Sequence, residues 1–446
     1  MKDSISPLDG RYSSDTEELL PYFSEKALMR YRLMVEIEYL IALSKEKALD
    51  GLPRFTKTEQ SEYRKIYLNF NNGSANRIKK IEQQTNHDVK AVEYYIRGKV
   101  NKAIHPWIHF ALTSEDVNNL SYTLMWKDAL AKIYVPKLKS LLKELKLLSS
   151  KYAGSAMLSM THGQPATPTT FGKEINVFSK RIERQIKGVI SHKFLGKFGG
   201  ATGTWSTHMV AYPKVNWLQF TKDYVKSLEL EPNLVTTQIE PHDSMAESYH
   251  QIIRINTILT DLSKDFWFYI SRRILGQKKI KGEVGSSAMP HKINPIQFEN
   301  AEGNLGISNA ILHHLTTKLP ISRMQRDLSD STTLRNQGVA LGHSLLAIKN
   351  ISKGIKRIKI NETLMNLELE DHWEVLAEAV QTVLRKNGKE NAYEKLKELT
   401  RGYSINQKSL SIFIKELDIP ESEKRKLLSL TPSTYIGLAK KISRLK

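Results

Sequence analysis

Cysteine is absent from the chain. That excludes disulfides, thiolate metal sites and cysteine nucleophiles, and it suits a reducing compartment. Long apolar runs are missing too: no stretch approaches the roughly 20 residues that span a bilayer. The opening MKDSISPLDGRYSSDTEELL lacks the apolar core of a secretory signal. A cytoplasmic protein with no membrane partner is therefore expected. No internal repeat or low-complexity segment occurs, and no convincing run of alternating strand residues; short strands fit only around 158–160 and 234–238. The glycines of GKFGGATG at 196–203 lack the strand and helix context of a nucleotide-phosphate motif, so they read as a loop. There is no H-E-x-x-H. His105 and His109 are four apart but Pro106 follows the first, and the adjacent His313 and His314 face different ways on a helix. No metal site and no cofactor are expected.

Acidic residues are in deficit, with 47 Asp plus Glu against 67 Lys plus Arg, a formal charge of +20. Such a field draws nucleic acid or small polyanionic substrates. The excess is mostly lysine dispersed over the chain, as in KKIK at 278–281, and not one block. It reads as a lysine-rich surface rather than a dedicated nucleic-acid footprint. The 446 residues are enough for two or three domains, and 40% apolar with 26% charged residues is ordinary for a globular protein.

The apolar pattern is helical almost throughout. Residues 24–49 carry Leu33, Ile37, Leu40 and Ile41 at helical spacing; a second helix is predicted over 58–72 and a third after Asn86. Longer patterns follow at 116–150, 170–192 and 243–275, with Pro136 expected to kink the first, and two more at 295–318 and 332–357. Helices of 25 to 35 residues span about 40–50 Å, more than one compact domain needs. They suggest a long bundle that buries its remaining apolar faces against copies of itself. The tail is smaller, and Thr431 with Pro432 is expected to start its last helix. The expected architecture is all-α: an N-terminal helical domain at 1–111, a central long-helix bundle at 112–357 carrying the catalytic loops, and a C-terminal helical domain at 358–446.

Polar residues gather between these helices. Gly282-Glu-Val-Gly-Ser-Ser-Ala-Met-Pro-His-Lys-Ile-Asn-Pro295 sets two hydroxyls on a glycine-loosened segment ahead of Lys292 and Asn294, then a helix start with Asn294 as N-cap and Pro295 at N1. A loop of this kind suits gripping an anion while moving a proton; it also fits a serine-rich linker. Thr85-Asn86-His87-Asp88 precedes a helix and fits an N-cap box with His87 on the surface. Thr113 and Asp116 make a capping box, and Thr113 and Ser114 are also good carboxylate ligands. In Met160-Thr-His-Gly-Gln-Pro-Ala-Thr-Pro168, too proline-rich for a helix, His162 is a candidate general acid or base, or a histidine satisfied by local backbone. Arg326, Ser331 and Arg335 in 323–335 suit a phosphate, though a solvated charged face looks similar.

Taken together the stretches are specific. GSSAMPHKINP at 285–295 matches the G-S-S-x-M-P-x-K-x-N-P pattern of the fumarase/aspartase superfamily. TNHDVKA at 85–91, TSED at 113–116, THGQP at 161–165 and QIEPHD at 238–243 narrow the likeness. From DGRY at 9–12 to TPSTYIG at 431–437 the chain resembles adenylosuccinate lyases of the bacterial type. The resemblance implies a three-domain helical subunit, a homotetramer and active sites built from loops of three subunits. It implies β-elimination of fumarate from adenylosuccinate to give AMP, and the matching step on the succinylated carboxamide ribotide (SAICAR to AICAR) of purine synthesis. By the same likeness Ser286 is the general base and His162 the general acid. Lys292, Asn294, Thr113 and Ser114 would stabilise developing carboxylate charge. Arg11, Tyr12, Arg326, Ser331, Thr332 and Arg335 would take the phosphate end, Asn86 and Gln238 line the site, and His87 and Asp88 orient the substrate or His162. Rival readings are another lyase of the superfamily acting on argininosuccinate or fumarate, a helical nucleic-acid binder, and an inactive scaffold.

Overall fold

The computed structural model describes residues 3–278, 289, 292–389, 394 and 405–445. The architecture is mainly helical, as expected, with three two-stranded pairs of short strands among the described residues. Two compact units share the chain. The first is made of Met1–Leu138, Gln185–Leu259 and Glu302–Lys349, the second of Lys139–Arg184, Thr260–Ala301 and Asn350–Lys446.

In the first unit the helix Glu25–Lys45 starts at Ser24, whose hydroxyl accepts the Ala27 N–H. Its predicted stripe is fully inside: Leu33, Ile37, Leu40 and Ile41 are at most 1% exposed. Each such burial contributes about 1.5–3 kcal/mol. This helix packs on Ser114–Ala129. Buried Trp126 on the latter donates to Ser248 at 2.9 Å and stands edge-on to Tyr249, which donates to Gln337 at 3.0 Å. A second buried network links Tyr134, Ser344, Asn256 and Ser308 by hydrogen bonds of 2.6–3.0 Å. Polar groups so paired cost little to bury and fix the register of the helices.

Pro136 has a defined effect. The helical run from 114 to 151 passes through a π-turn at Leu130–Tyr134 just before it, closed by the Val135 N–H on the Leu130 carbonyl. Proline cannot donate to the carbonyl four residues back and its ring crowds it, so a wider turn there accommodates both defects.

The second unit buries Leu158, Leu369, Leu376, Val380, Leu384, Leu410, Ile414 and Leu427 in one cluster. Phe266 stacks on Phe298 at 5.0 Å between centroids. Here the sequence reading needs two corrections. Residues 156–170 form a β-hairpin, Ala156–Thr161 against Gln164–Thr170, and not only a loop around a short strand at 158–160. Thr431 caps a single turn, accepting from the Thr434 and Tyr435 amides, while the last helix, Ala439–Ile442, starts after Gly437 at φ +49°. In the first unit the strand expected at 234–238 is instead Glu231–Asn233, parallel to Leu195–Lys197. The helix Asn72–Thr85 was not anticipated, because only Ile78 of it is buried. Among the described residues no helix is long and apolar enough to cross a membrane.

Candidate active site

Asp88 is the centre of one group of predicted residues. The preceding helix ends at Asn86, in the left-handed region at φ 50°, a conformation asparagine tolerates. His87 is the N-cap of the next helix, its Nδ1 accepting the Lys90 N–H at 3.2 Å. The surface N-cap reading of His87 is what the local geometry shows. Asp88 accepts from Arg32 at 2.8 Å and from Arg335 at 3.2 Å, and its other oxygen accepts the Val89 N–H. Burial works to raise its carboxyl; Arg32, the Val89 amide and Arg335 outweigh that and hold it below the usual range. Arg32 also donates to Asn118 at 2.9 Å. Arg335 borders two recesses, one lined by Glu25, Met29, Glu82 and Asp88, the other by Ser6, Asp9, Gly338 and Gly342. Arg11 lies 5.8 Å from the Tyr12 ring centroid, on the segment that follows Asp9.

A second group surrounds the helix start at Thr113. The predicted capping box is present, with the Asp116 carboxylate accepting the Thr113 N–H at 2.9 Å. The same carboxylate meets Lys197 at 2.7 Å, both side chains fully buried, and accepts from the amides of Gly199 and Gly200. Lys197 completes the group by donating to the Gly200 carbonyl at 2.6 Å. The glycine-rich stretch at 196–203 therefore does cradle an anion, and that anion is Asp116. Gly203 lies at φ +68°, where an added Cβ would sit 2.5 Å from the Thr236 carbonyl, so loop and the 236–238 segment touch. Gln238 donates to the Ala201 carbonyl at 3.0 Å. Thr113, through Asp116, and Gln238 are thus both tied to one glycine loop.

Arg326 forms a third group. Its guanidinium lies 3.1 Å from Glu115 and 3.4 Å from Asp330. Asp330 accepts the Ser331 N–H, which seats Ser331 and Thr332 at the start of a short helix, Ser329–Leu334. Glu115, Asp330 and buried His242 each offer one ligand atom, all within 4.8 Å of one another. The charge a metal would bring to these carboxylates is already supplied by Arg326. Burial pushes the Glu115 carboxyl up to about 8, against the pull of Arg326. It pushes the His242 imidazole down to about 4.

The second unit carries His162. It and Gly163 are the two central residues of the hairpin turn, between the paired Thr161 and Gln164, with φ of 51° and 73°. Both positive values are what a two-residue hairpin turn of the primed type requires, and Gly163 adopts its value without a Cβ clash. The imidazole stands at an exposed tip. Two other predicted residues of this unit flank the helix Ile296–Lys318: Lys292, whose N–H bonds the Met289 carbonyl, and Asn294. That helix begins one residue later than expected, with the Pro295 carbonyl accepting from Glu299. Gln277 donates to the Ile293 carbonyl at 3.0 Å, tying the segment down. Ser286, with most of the loop ahead of Lys292, lies outside the described residues.

Sequence reasoning missed Arg32, Glu115 and Lys197. Arg32 had a legible signal: with Glu36 it occupies positions four apart on the helix face that otherwise buries Met29 and Leu33. Both are at most 3% exposed. A charged pair on an apolar stripe is rare unless partnered.

The chain is similar to known proteins over nearly its whole length. A lyase family model matches residues 10–309, and a model of the adenylosuccinate lyase C-terminal region matches 322–436. The chain is 50% identical over 442 residues to adenylosuccinate lyase of Legionella pneumophila (strain Corby), covering 98% of this chain and 97% of that protein. It is 47% identical over 441 residues to adenylosuccinate lyase of Escherichia coli (strain K12), with the same coverage. In fold it is similar to the crystal structure of a fumarate lyase from Mesorhizobium sp. BNC1, with a TM-score of 0.75, 17% identity and 96% of each chain covered. A 3-carboxy-cis,cis-muconate lactonizing enzyme from Pseudomonas putida gives 0.72 at 20% identity over 96% of this chain and 95% of that one.

Proposed function

The chain belongs to the adenylosuccinate lyase family, a carbon–nitrogen lyase of the fumarase/aspartase superfamily, and from that premise we propose how its own residues carry out the reaction. The substrate is adenylosuccinate, or the succinylated carboxamide ribotide of purine biosynthesis. The observation that carries the activity is likeness of 50% along 98% of the chain. The motif residues support the assignment of roles.

Ser286 removes the proton from the succinyl carbon next to the one bonded to nitrogen. The C–N bond breaks as the carbon–carbon double bond of fumarate forms, and His162 gives a proton to the departing nitrogen. AMP, or AICAR from the other substrate, is left. No cofactor enters this balance. A serine hydroxyl is a poor base in water, so it needs a closed loop that excludes water and donors that stabilise the alkoxide. Lys292, Asn294, Thr113 and Ser114 meet the charge gathering on the carboxylate beside the reacting carbon. Arg11, Tyr12, Arg326, Ser331, Thr332 and Arg335 take the phosphate, with Asn86 and Gln238 lining the site. His87 and Asp88 orient the substrate or His162, and the Arg32–Asp88–Arg335 group holds this part of the wall rigid.

The exposure of Arg11, Asn86, His87, His162, Lys292 and Arg335 on a single chain supports sites completed by other copies. We place the protein in the cytoplasm as a homotetramer of three-domain subunits, divided at 1–111, 112–357 and 358–446. The test is ultraviolet turnover with adenylosuccinate, SAICAR and argininosuccinate in parallel. Turnover of the first two is expected; turnover of argininosuccinate alone would reject the assignment.

A further inference from the structure

Glu115, Asp330 and His242 cluster beside Arg326; Glu115 Oε1 and His242 Nε2 have no hydrogen-bond partner, and Asp330 Oδ2 has only its ion pair with Arg326. The three residues are 1%, 4% and 3% exposed. Leaving one buried polar atom unpaired costs about 1–3 kcal/mol. A cluster that leaves two such atoms is not explained by stability. What it does hold is a guanidinium, 3.1 Å from Glu115 Oε2 and 3.4 Å from Asp330 Oδ2.

We propose that Glu115 is a positioning residue that competes with the substrate phosphate for Arg326, so that its protonation sets how firmly phosphorylated substrate is bound. The inference rests on the reading of Arg326 as a phosphate ligand. Guanidinium is a planar fork whose bidentate face serves one anion well. With Glu115 neutral, Asp330 alone restrains it and the face is open to a phosphate. With Glu115 ionised, two carboxylates claim it.

The groups facing Glu115 are Arg326, Asp330, Lys197, Asp116 and His242. Lys197 and Asp116 are committed to each other and to Gly199 and Gly200. His242, held down to about 4 by burial, is neutral at working pH. Glu115 titrates in that range. Burial, aided by Asp330 and Asp116, outweighs Arg326 and Lys197 and raises it to about 8. Binding is therefore tight below pH 8 and weakens above it. A phosphate monoester, with its second pKa near 6, stays dianionic over this range.

The experiment measures KM and kcat for adenylosuccinate from pH 7 to 9 in the wild type, Glu115→Gln and Arg326→Lys. One group titrating midway makes KM about tenfold higher at pH 9 than at pH 7. Glu115→Gln removes that rise and leaves the pH profile of kcat as in the wild type. Persistence of the full rise in Glu115→Gln, or an effect on kcat alone, overturns the proposal. An Arg326→Lys variant with unchanged KM at pH 7 rejects instead the underlying phosphate assignment. Should Glu115→Gln not fold, competitive inhibition of the wild type by AMP decides: weakening about tenfold over the same range supports the inference, and constant inhibition overturns it.

Discussion

Asp116 ties three pieces of chain together: the helix start at Thr113, the glycine loop at 199–200, and Lys197 between them. Removing one partner of a pair buried this completely leaves an uncompensated charge. Lys197→Met is expected to destabilise the protein by about 3–5 kcal/mol, measured by urea unfolding; a loss under 1 kcal/mol would show that the glycine amides suffice for Asp116. His109 is a partly buried imidazole, 2.6 Å from Glu36 and 3.8 Å from Glu93. Burial lowers its affinity for a proton, but Glu36, Glu93 and Asp116 outweigh this and raise its pKa above the usual 6.5. Its contribution to stability is then complete below the unfolded value near 6.5 and is lost as pH rises through the higher folded value. Thermal melts of the wild type and His109→Gln should converge between pH 6 and pH 9. Parallel curves would mean that His109 is neutral throughout. Of these pairings only the Thr113–Asp116 capping box was legible in the sequence; His109 and Glu36 are 73 positions apart and only the fold brings them together.

At the scale of elements, helices were legible wherever a leucine or isoleucine stripe repeats, as in Glu25–Lys45 and in Asp243–Ser271, the latter 29 residues long. Capping chemistry placed Thr113 and His87 within one residue of their helix starts. The hairpin bearing His162 was harder to read. Its second strand contains Pro165 and Pro168, residues that demote a strand in any sequence reading and are accepted here because the pair has only edges. Helix Asn72–Thr85 was missed because its pattern is polar on nearly every side. The glycine loop gives an element-scale test. Gly203→Ala puts a Cβ against the Thr236 carbonyl at an unfavourable φ, which should cost about 1–3 kcal/mol. Because the 236–238 segment must yield, KM should rise with little change in kcat. Unaltered kinetics in a folded variant would separate Gln238 from substrate binding.

At the scale of the whole molecule, the motif residues divide between two compact units of one chain. His162, Lys292 and Asn294 belong to one; Arg11, Asn86, Asp88, Thr113, Gln238 and Arg335 to the other. Family likeness was legible from the motifs alone, whereas assembly is not a property of one chain's sequence pattern or fold. If active sites draw on several subunits, mixing inactive His162→Ala and Ser286→Ala proteins and allowing exchange should restore part of the activity, since some mixed sites carry neither substitution. No recovery after verified exchange would contradict shared sites. The account as a whole stands on one loop serine acting as base in the elimination. Its most direct test is the ultraviolet change as adenylosuccinate becomes AMP, followed for the wild type and for Ser286→Ala with the assembly verified intact. The expected result is rapid turnover by the first and a loss of at least about 10²–10⁴-fold in the second; near-normal turnover by Ser286→Ala would contradict it.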